Sequence, residues 1–318
     1  MSARHASISA VAPALACLLA LAFGVSADDS AAIKLGKSTV SQWRFGVEVT
    51  AAGGPVTGIV ATLPVPMDWP EQTVKIVASD VSPRTRVSYR VIDNAVKQMQ
   101  VNIPKLAAGD TAQAVVTFEI EKHWIEQPES TRDLKLPKPS RELTKFLGPS
   151  PYIESTDAKI KLIAANEARD DAAPWQQAQQ LFTWTRANVK YKFAEEIKPA
   201  VAALEAGEGD CEELSSLFIA LCRARKIPAR AVWVPGHTYP EFYLEETDGG
   251  GHWYPCQAAG EAADFGRMPE DRPILQKGDN LKLPGEREPQ RYAKQTLKAK
   301  NATAPPLVKF IMQGPGKE

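Results

Sequence analysis

Histidine and cysteine are scarce in this 318-residue chain, with four of each. Their spacing fits no zinc site, and no calcium loop is present, so no metal or other cofactor is implied. An excess of one charge is also missing, since 38 basic residues balance 38 acidic ones. No basic face argues for nucleic acid and no polybasic run argues for a membrane surface. Beyond the first 27 residues no apolar run could span a bilayer, so no stable membrane insertion is expected once a leader is removed. Internal repeats are absent too.

Residues 1–27 have the pattern of a secretory signal. Arg4 supplies a short positive region, Val11 to Phe23 is rich in Ala and Leu, and Val25-Ser26-Ala27 fits small-x-small cleavage before Asp28. A membrane anchor is the competing reading, though the apolar run is short for one. Cys17 stands inside this run and is read as part of the leader. An exported chain, periplasmic or extracellular, would keep Cys211, Cys222 and Cys256, an odd number that leaves at least one thiol free. Cys211 and Cys222 lie on one expected helix, about 16 Å apart at ~1.5 Å per residue, too far for a bridge.

Residues 28–125 are expected to form an all-β, sandwich-like domain. Short apolar runs recur between turn residues, and Val116, Phe118 and Ile120 alternate with Thr117, Glu119 and Glu121. His123 and Trp124 end this region as a domain-joint contact. Residues 126–150 carry Pro128, Pro137, Pro139 and Pro149 among charges, as a linker would. An α+β domain over 151–275 follows, and 276–318 is taken as a C-terminal extension with one strand at Leu307 to Met312. Ser155-Thr156-Asp157 signals a helix start, Pro174 suits the first turn of the next helix, and Asp248-Gly249-Gly250-Gly251 joins two strands of a hairpin.

The most informative stretch is Gly209 to Val234. Cys211 sits where a helix begins, and Leu214, Leu217, Phe218, Leu221 and Cys222 recur at helical spacing. A thiol there meets free backbone N–H groups and the positive end of the helix dipole. A nucleophilic cysteine also needs a base and a group that orients it. His237 opens the strand after the apolar run Ala231 to Val234, and Gln257 ends the partner strand of the hairpin. The blander reading makes Cys211 a small core hydrophobe. Glu212 and Glu213 are read as favourable first-turn charges, Trp233 and Tyr239 as core, and Cys256 as packing or a labile partner of Cys211.

GDCEELSSLFIALCRARKIPARAV resembles the cysteine motif of the transglutaminase-like superfamily, a G-x-C that opens a helix running into I-P-A-R. HTYPEFYL resembles its histidine motif and HWYPCQAAG its third motif; the match covers about residues 145–260. The resemblance implies a papain-like core with Cys211 as nucleophile and His237 as base. It further implies acyl transfer from a protein or peptide amide, through a thioester, to an amine or water. Two departures stand out: Gln257 holds the aspartate position, and Tyr239 holds a tryptophan position. An amide can orient an imidazole but cannot stabilise imidazolium by charge. Asp264 is a nearby carboxylate that could substitute. The alternative to an enzyme is a decayed site in a binding module.

Overall fold

Alternating apolar residues build the first half of the chain. In the computed structural model, which describes residues 34–247 and 249–316, six antiparallel strands follow one another. They are β1 (Leu35–Thr50), β2 (Val56–Val65), β3 (Gln72–Val81), β4 (Arg86–Ile92), β5 (Val96–Leu106) and β6 (Thr111–Ile125). The expected leader over residues 1–27 lies outside the described residues. Phe45, Val47 and Val49 of β1, with Phe118 and Ile120 of β6, face Ile59, Ala61 and Leu63 of β2 and Met99 and Val101 of β5. Two sheets packed on such a shared apolar layer make a sandwich.

The second half starts with helices: α1 (Arg141–Thr144), α2 (Ala158–Glu167) and α3 (Pro174–Asn188). Asp157 caps α2 by accepting from the N–H groups of Lys159 and Ile160, and Pro174 stands in the first turn of α3. Then come β7 (Lys190–Tyr191), α4 (Ala200–Ala206), β8 (Glu208–Gly209), α5 (Cys211–Ala224), β9 (Ala229–Val234), β10 (His237–Glu245) and β11 (Gly251–Pro255). The apolar face of α5 lies with the inner residues of β9 and β10, and Trp175 and Phe182 of α3 close the same core. The architecture is α+β, with an all-β region ahead of the helical core.

The segment expected as a C-terminal extension supplies β12 (Gln276–Lys277), β13 (Thr296–Lys298), β14 (Asn301–Ala302) and β15 (Leu307–Gln313). β15 runs antiparallel to β1, with Phe45 opposite Met312. β13 and β14 both pair with β2. β12 pairs on one side with β9 and on the other with β5. One nine-stranded sheet therefore runs from β11 through β12 to β13, across both halves of the chain.

Charge is buried at that joint. Lys277 Nζ lies 2.5 Å from Glu71 Oε1 and 2.8 Å from Glu241 Oε1, and the three side chains are at most 3% exposed. Arg230 adds a 2.9 Å contact to Glu241 Oε2. Burial alone pushes the Glu241 carboxyl up, but Lys277 and Arg230 outweigh it and leave it lowered. Asp279 behaves the same way beside Arg223, whose Nη2 is 2.8 Å from Asp279 Oδ1.

Lys277→Met leaves two buried carboxylates without their ammonium, which costs about 3–5 kcal/mol. A urea midpoint unchanged at neutral pH contradicts this. Because Glu241 and Asp279 titrate lower folded than unfolded, their stabilisation is complete above about pH 5, clear of the unfolded values, and is lost as pH falls through their folded values. Unfolding free energy measured against pH should decline in that acid range.

Candidate active site

The local sequence fixes where α5 begins. Asp210 Oδ1 accepts from the N–H of Glu212 at 2.7 Å, and Glu213 Oε2 accepts from the N–H of Asp210 at 2.8 Å. This reciprocal capping box makes Cys211 the first helical residue. Gly209 before it has no alternative, because a Cβ there would lie 2.6 Å from Glu213 Cβ. Cys211 is half-buried, while Cys222 and Cys256 are fully buried in the core and all three thiols are free.

β9 and β10 are joined by Pro235 and Gly236, with Gly236 at φ +72°, a left-handed turn suited to glycine. His237 is the first residue beyond the turn, paired with Val234. The first turn of α5 holds β10 in place. Ser215 Oγ donates to Thr238 O at 3.3 Å, and Thr238 Oγ1 donates to Glu212 Oε1 at 2.8 Å. Glu212 also accepts from Trp233 Nε1 at 2.7 Å and Arg291 Nε at 3.0 Å. It thus ties α5, β9 and β10 to the C-terminal segment and is more than a first-turn charge. Arg291 lies 79 positions away, so no local pattern could have signalled the contact.

His237 Nε2 and Gln257 Oε1 are 2.7 Å apart, the contact inferred from the hairpin. An amide oxygen only accepts, so Nε2 carries the proton and Nδ1 keeps the lone pair. Gln257 is itself held. Its N–H donates to Asp264 O at 2.7 Å, and its carbonyl accepts from Arg186 Nη1 at 2.8 Å. The Asp264 carboxylate lies 3.3 Å from Arg267 Nε and makes no hydrogen bond to His237, so the substitute orienter weighed from sequence is engaged elsewhere.

Cys211 and His237 line one cleft of about 310 Å³, with Tyr191, Phe193, Trp233 and Tyr292 on its walls. A larger cavity of about 510 Å³ lies at the turn end of the hairpin, beside Tyr254, and contains none of the three residues Cys211, His237 and Gln257. Tyr239 is fully buried, as expected, whereas Trp233 is both core and cleft wall. Among the described residues no group of three or more His, Cys, Asp or Glu is placed to hold a metal ion.

Burial governs the protonation states. It pushes the Cys211 thiol up to about 11, opposed by the Thr238 backbone N–H and reinforced by Asp210 and Glu212. It also lowers His237, opposed by the Gln257 hydrogen bond. Asp210 rises to about 6 through burial and its bond with Glu213. The resting pair is therefore a neutral thiol and a neutral imidazole. The helix N-terminus favours thiolate, as the sequence suggests, but desolvation outweighs it here.

Residues 163–258, which include Cys211, His237 and Gln257, match the family model described as the transglutaminase-like superfamily. No curated protein matches the chain. Among solved structures, a candidate cysteine protease from Cytophaga hutchinsonii aligns with TM-score 0.58 at 16% identity, covering 89% of this chain and 93% of that one. That likeness concerns the fold. A candidate protease from Parabacteroides distasonis aligns at TM-score 0.29 and 12% identity, over 70% of this chain and 47% of that one. The periplasmic domain of TgpA from Pseudomonas aeruginosa, bound to ethylmercury, aligns at 0.32 and 11%, over 69% and 90%. Both superpose too loosely to bear on the site.

Iodoacetamide labelling of Cys211 should keep accelerating with pH towards the thiol value of about 11. A rate already on its plateau at about pH 7 would show a preformed thiolate instead. Gln257→Glu should raise the His237 value by about one pH unit, as a carboxylate beside an imidazole does. An NMR titration of the ring that does not move would contradict the contact.

Proposed function

We propose that this chain, whose residues 163–258 match the transglutaminase-like superfamily model, is an exported cysteine enzyme acting on peptide or side-chain amides. The observation that carries the reading is one cleft holding Cys211 at a helix N-terminus and His237 oriented by Gln257 through a 2.7 Å bond. His237 Nδ1 takes the thiol proton as sulfur attacks the amide carbonyl. The C–N bond breaks, the imidazolium returns its proton to the leaving amine, and a Cys211 thioester remains. Water or a second amine then releases the acyl group. Backbone N–H groups of Cys211 and Thr238 act on the Cys211 sulfur and favour its ionised form. Export rests on the leader pattern of residues 1–27. Among the described residues no helix is long and apolar enough to cross a membrane.

A binding module with a decayed site is the second reading, favoured by the raised Cys211 thiol and by the uncharged orienter Gln257.

The test is to trap the thioester. Incubation with a peptide panel, with and without a primary amine, should add acyl mass to Cys211 in wild type. Cys211→Ala should lower turnover on the order of 10⁴-fold or more, and His237→Ala should abolish adduct formation at neutral pH. Since His237 stays neutral to below its ordinary 6.5, the acid limb of activity should lie below that pH. No adduct on any peptide, together with alkylation indifferent to His237→Ala, favours the binding module.

A further inference from the structure

Arg272 and Glu270 lie on the segment between β11 and β12, beyond the residues matched to the family. Their pairing is bidentate: Arg272 Nε donates to Glu270 Oε1 at 2.8 Å and Nη2 to Glu270 Oε2 at 2.6 Å. Arg272 N–H adds a third bond to Glu270 Oε1 at 2.9 Å. The remaining arm of the fork, Nη1, donates to Pro235 O at 3.1 Å. Pro235 begins the turn that delivers His237, and Gly236 between them is in the left-handed region. The clasp therefore grips the turn immediately before the proposed base.

The guanidinium also stands within electrostatic reach of both proposed reacting groups. It favours the ionised Cys211 and disfavours protonated His237, while Glu270 acts on His237 in the opposite sense. The other groups facing His237 are Gln257, by hydrogen bond, and Glu212. Those facing Cys211 are the Thr238 N–H, Asp210 and Glu212. Both of those carboxylates oppose thiolate; Arg291 pairs with Glu212 at 2.9 Å, and Arg272 acts in the opposite sense to the carboxylates.

We propose that Arg272, held by Glu270, is a positioning residue for the Cys211–His237 pair: it fixes the His237 turn and sets a positive charge beside that turn. The inference rests on the proposed roles of Cys211 and His237. Its chemical sense follows from Gln257. With a carboxylate orienter, imidazolium is stabilised and holds its proton. With an amide orienter and a guanidinium nearby, imidazolium is a stronger acid and passes its proton to the leaving amine more readily. Arg272 favours the thiolate formed during attack electrostatically, in addition to imidazolium.

Two variants separate charge from scaffolding. Arg272→Gln should raise both the His237 titration midpoint, read by NMR, and the Cys211 alkylation midpoint, each by about half to one pH unit for a partly solvated neighbour. Glu270→Gln should lower both, since the guanidinium then acts unopposed. Arg272→Lys should keep both midpoints near wild type, because the charge remains. A clasp that only holds the turn predicts that Arg272→Gln and Glu270→Gln, which both break it, move the midpoints alike or leave them still. That outcome overturns the proposal. Circular dichroism and urea midpoints establish folding of each variant. If Arg272→Gln does not fold, Glu270→Gln decides alone: a downward shift supports the proposal and no shift overturns it. Neither readout uses a substrate. Failure of the proposed function would appear separately, as Cys211 alkylation indifferent to His237→Ala.

Discussion

Lys277 is an ammonium with almost no water, seated between two carboxylates that belong to different halves of the fold. Glu71 leads into the sandwich strand β3, and Glu241 lies in the middle of β10, four residues after His237. A buried charge tolerates few arrangements, because each lost partner costs several kcal/mol. Satisfying Lys277 therefore fixes the sandwich against the helical core at one point. β12 is only two residues long, yet it carries Lys277 and takes the place between β9 and β5. Its brevity is tolerable because side chains supplement its ladder. Gln276 donates to the carbonyls of Gly278 and Arg291 at 2.8 Å and accepts from the N–H of Ala293 at 3.0 Å.

The cleft inherits that joint. Cys211 and His237 come from the helical core, but Tyr292 and Met312 on its walls come from the C-terminal segment, and Met312 lies on a strand of the sandwich. The same segment contributes Arg291, whose guanidinium meets Glu212 next to the cysteine. The β-rich region is thus part of the site's wall, and its placement shapes what reaches the thiol. Phe193, at the cleft and 71% exposed, supplies a solvent-facing apolar surface there.

Much of this was legible in the sequence, for definable reasons. The α5 periodicity, the Asp157 cap, the β9–β10–β11 succession and the His237–Gln257 contact all arise from neighbours within about 20 positions. The alternation in β6 exposed the sandwich. What stayed hidden was either short or distant. β12, β13 and β14 have two or three residues each, too few for any period. None of the first ten residues of β1 is buried, so no inward-facing apolar alternation marked them as strand before Phe45. The roles of Glu212, Arg272 and Lys277 depend on partners elsewhere in the chain. Glu213 is a different case, since the D-x-x-E spacing over Asp210 to Glu213 carried the capping box openly.

The electrostatics of the site then follow from one tension. A thiol must be dry to exclude competing solvent, yet dryness is what pushes it up to about 11. A carboxylate orienter would relieve the tension by holding imidazolium, at the cost of another buried charge. This chain instead leaves both partners neutral at rest, with a neutral amide behind the base. On the proposed function, charge separation is deferred to the moment of attack, when substrate has displaced water. On the proposed reading, a neutral resting site costs ground-state reactivity towards small electrophiles and confines ionisation to the bound complex. That makes low intrinsic thiol reactivity compatible with catalysis, provided the His237 turn is rigid enough for proton transfer to need no rearrangement.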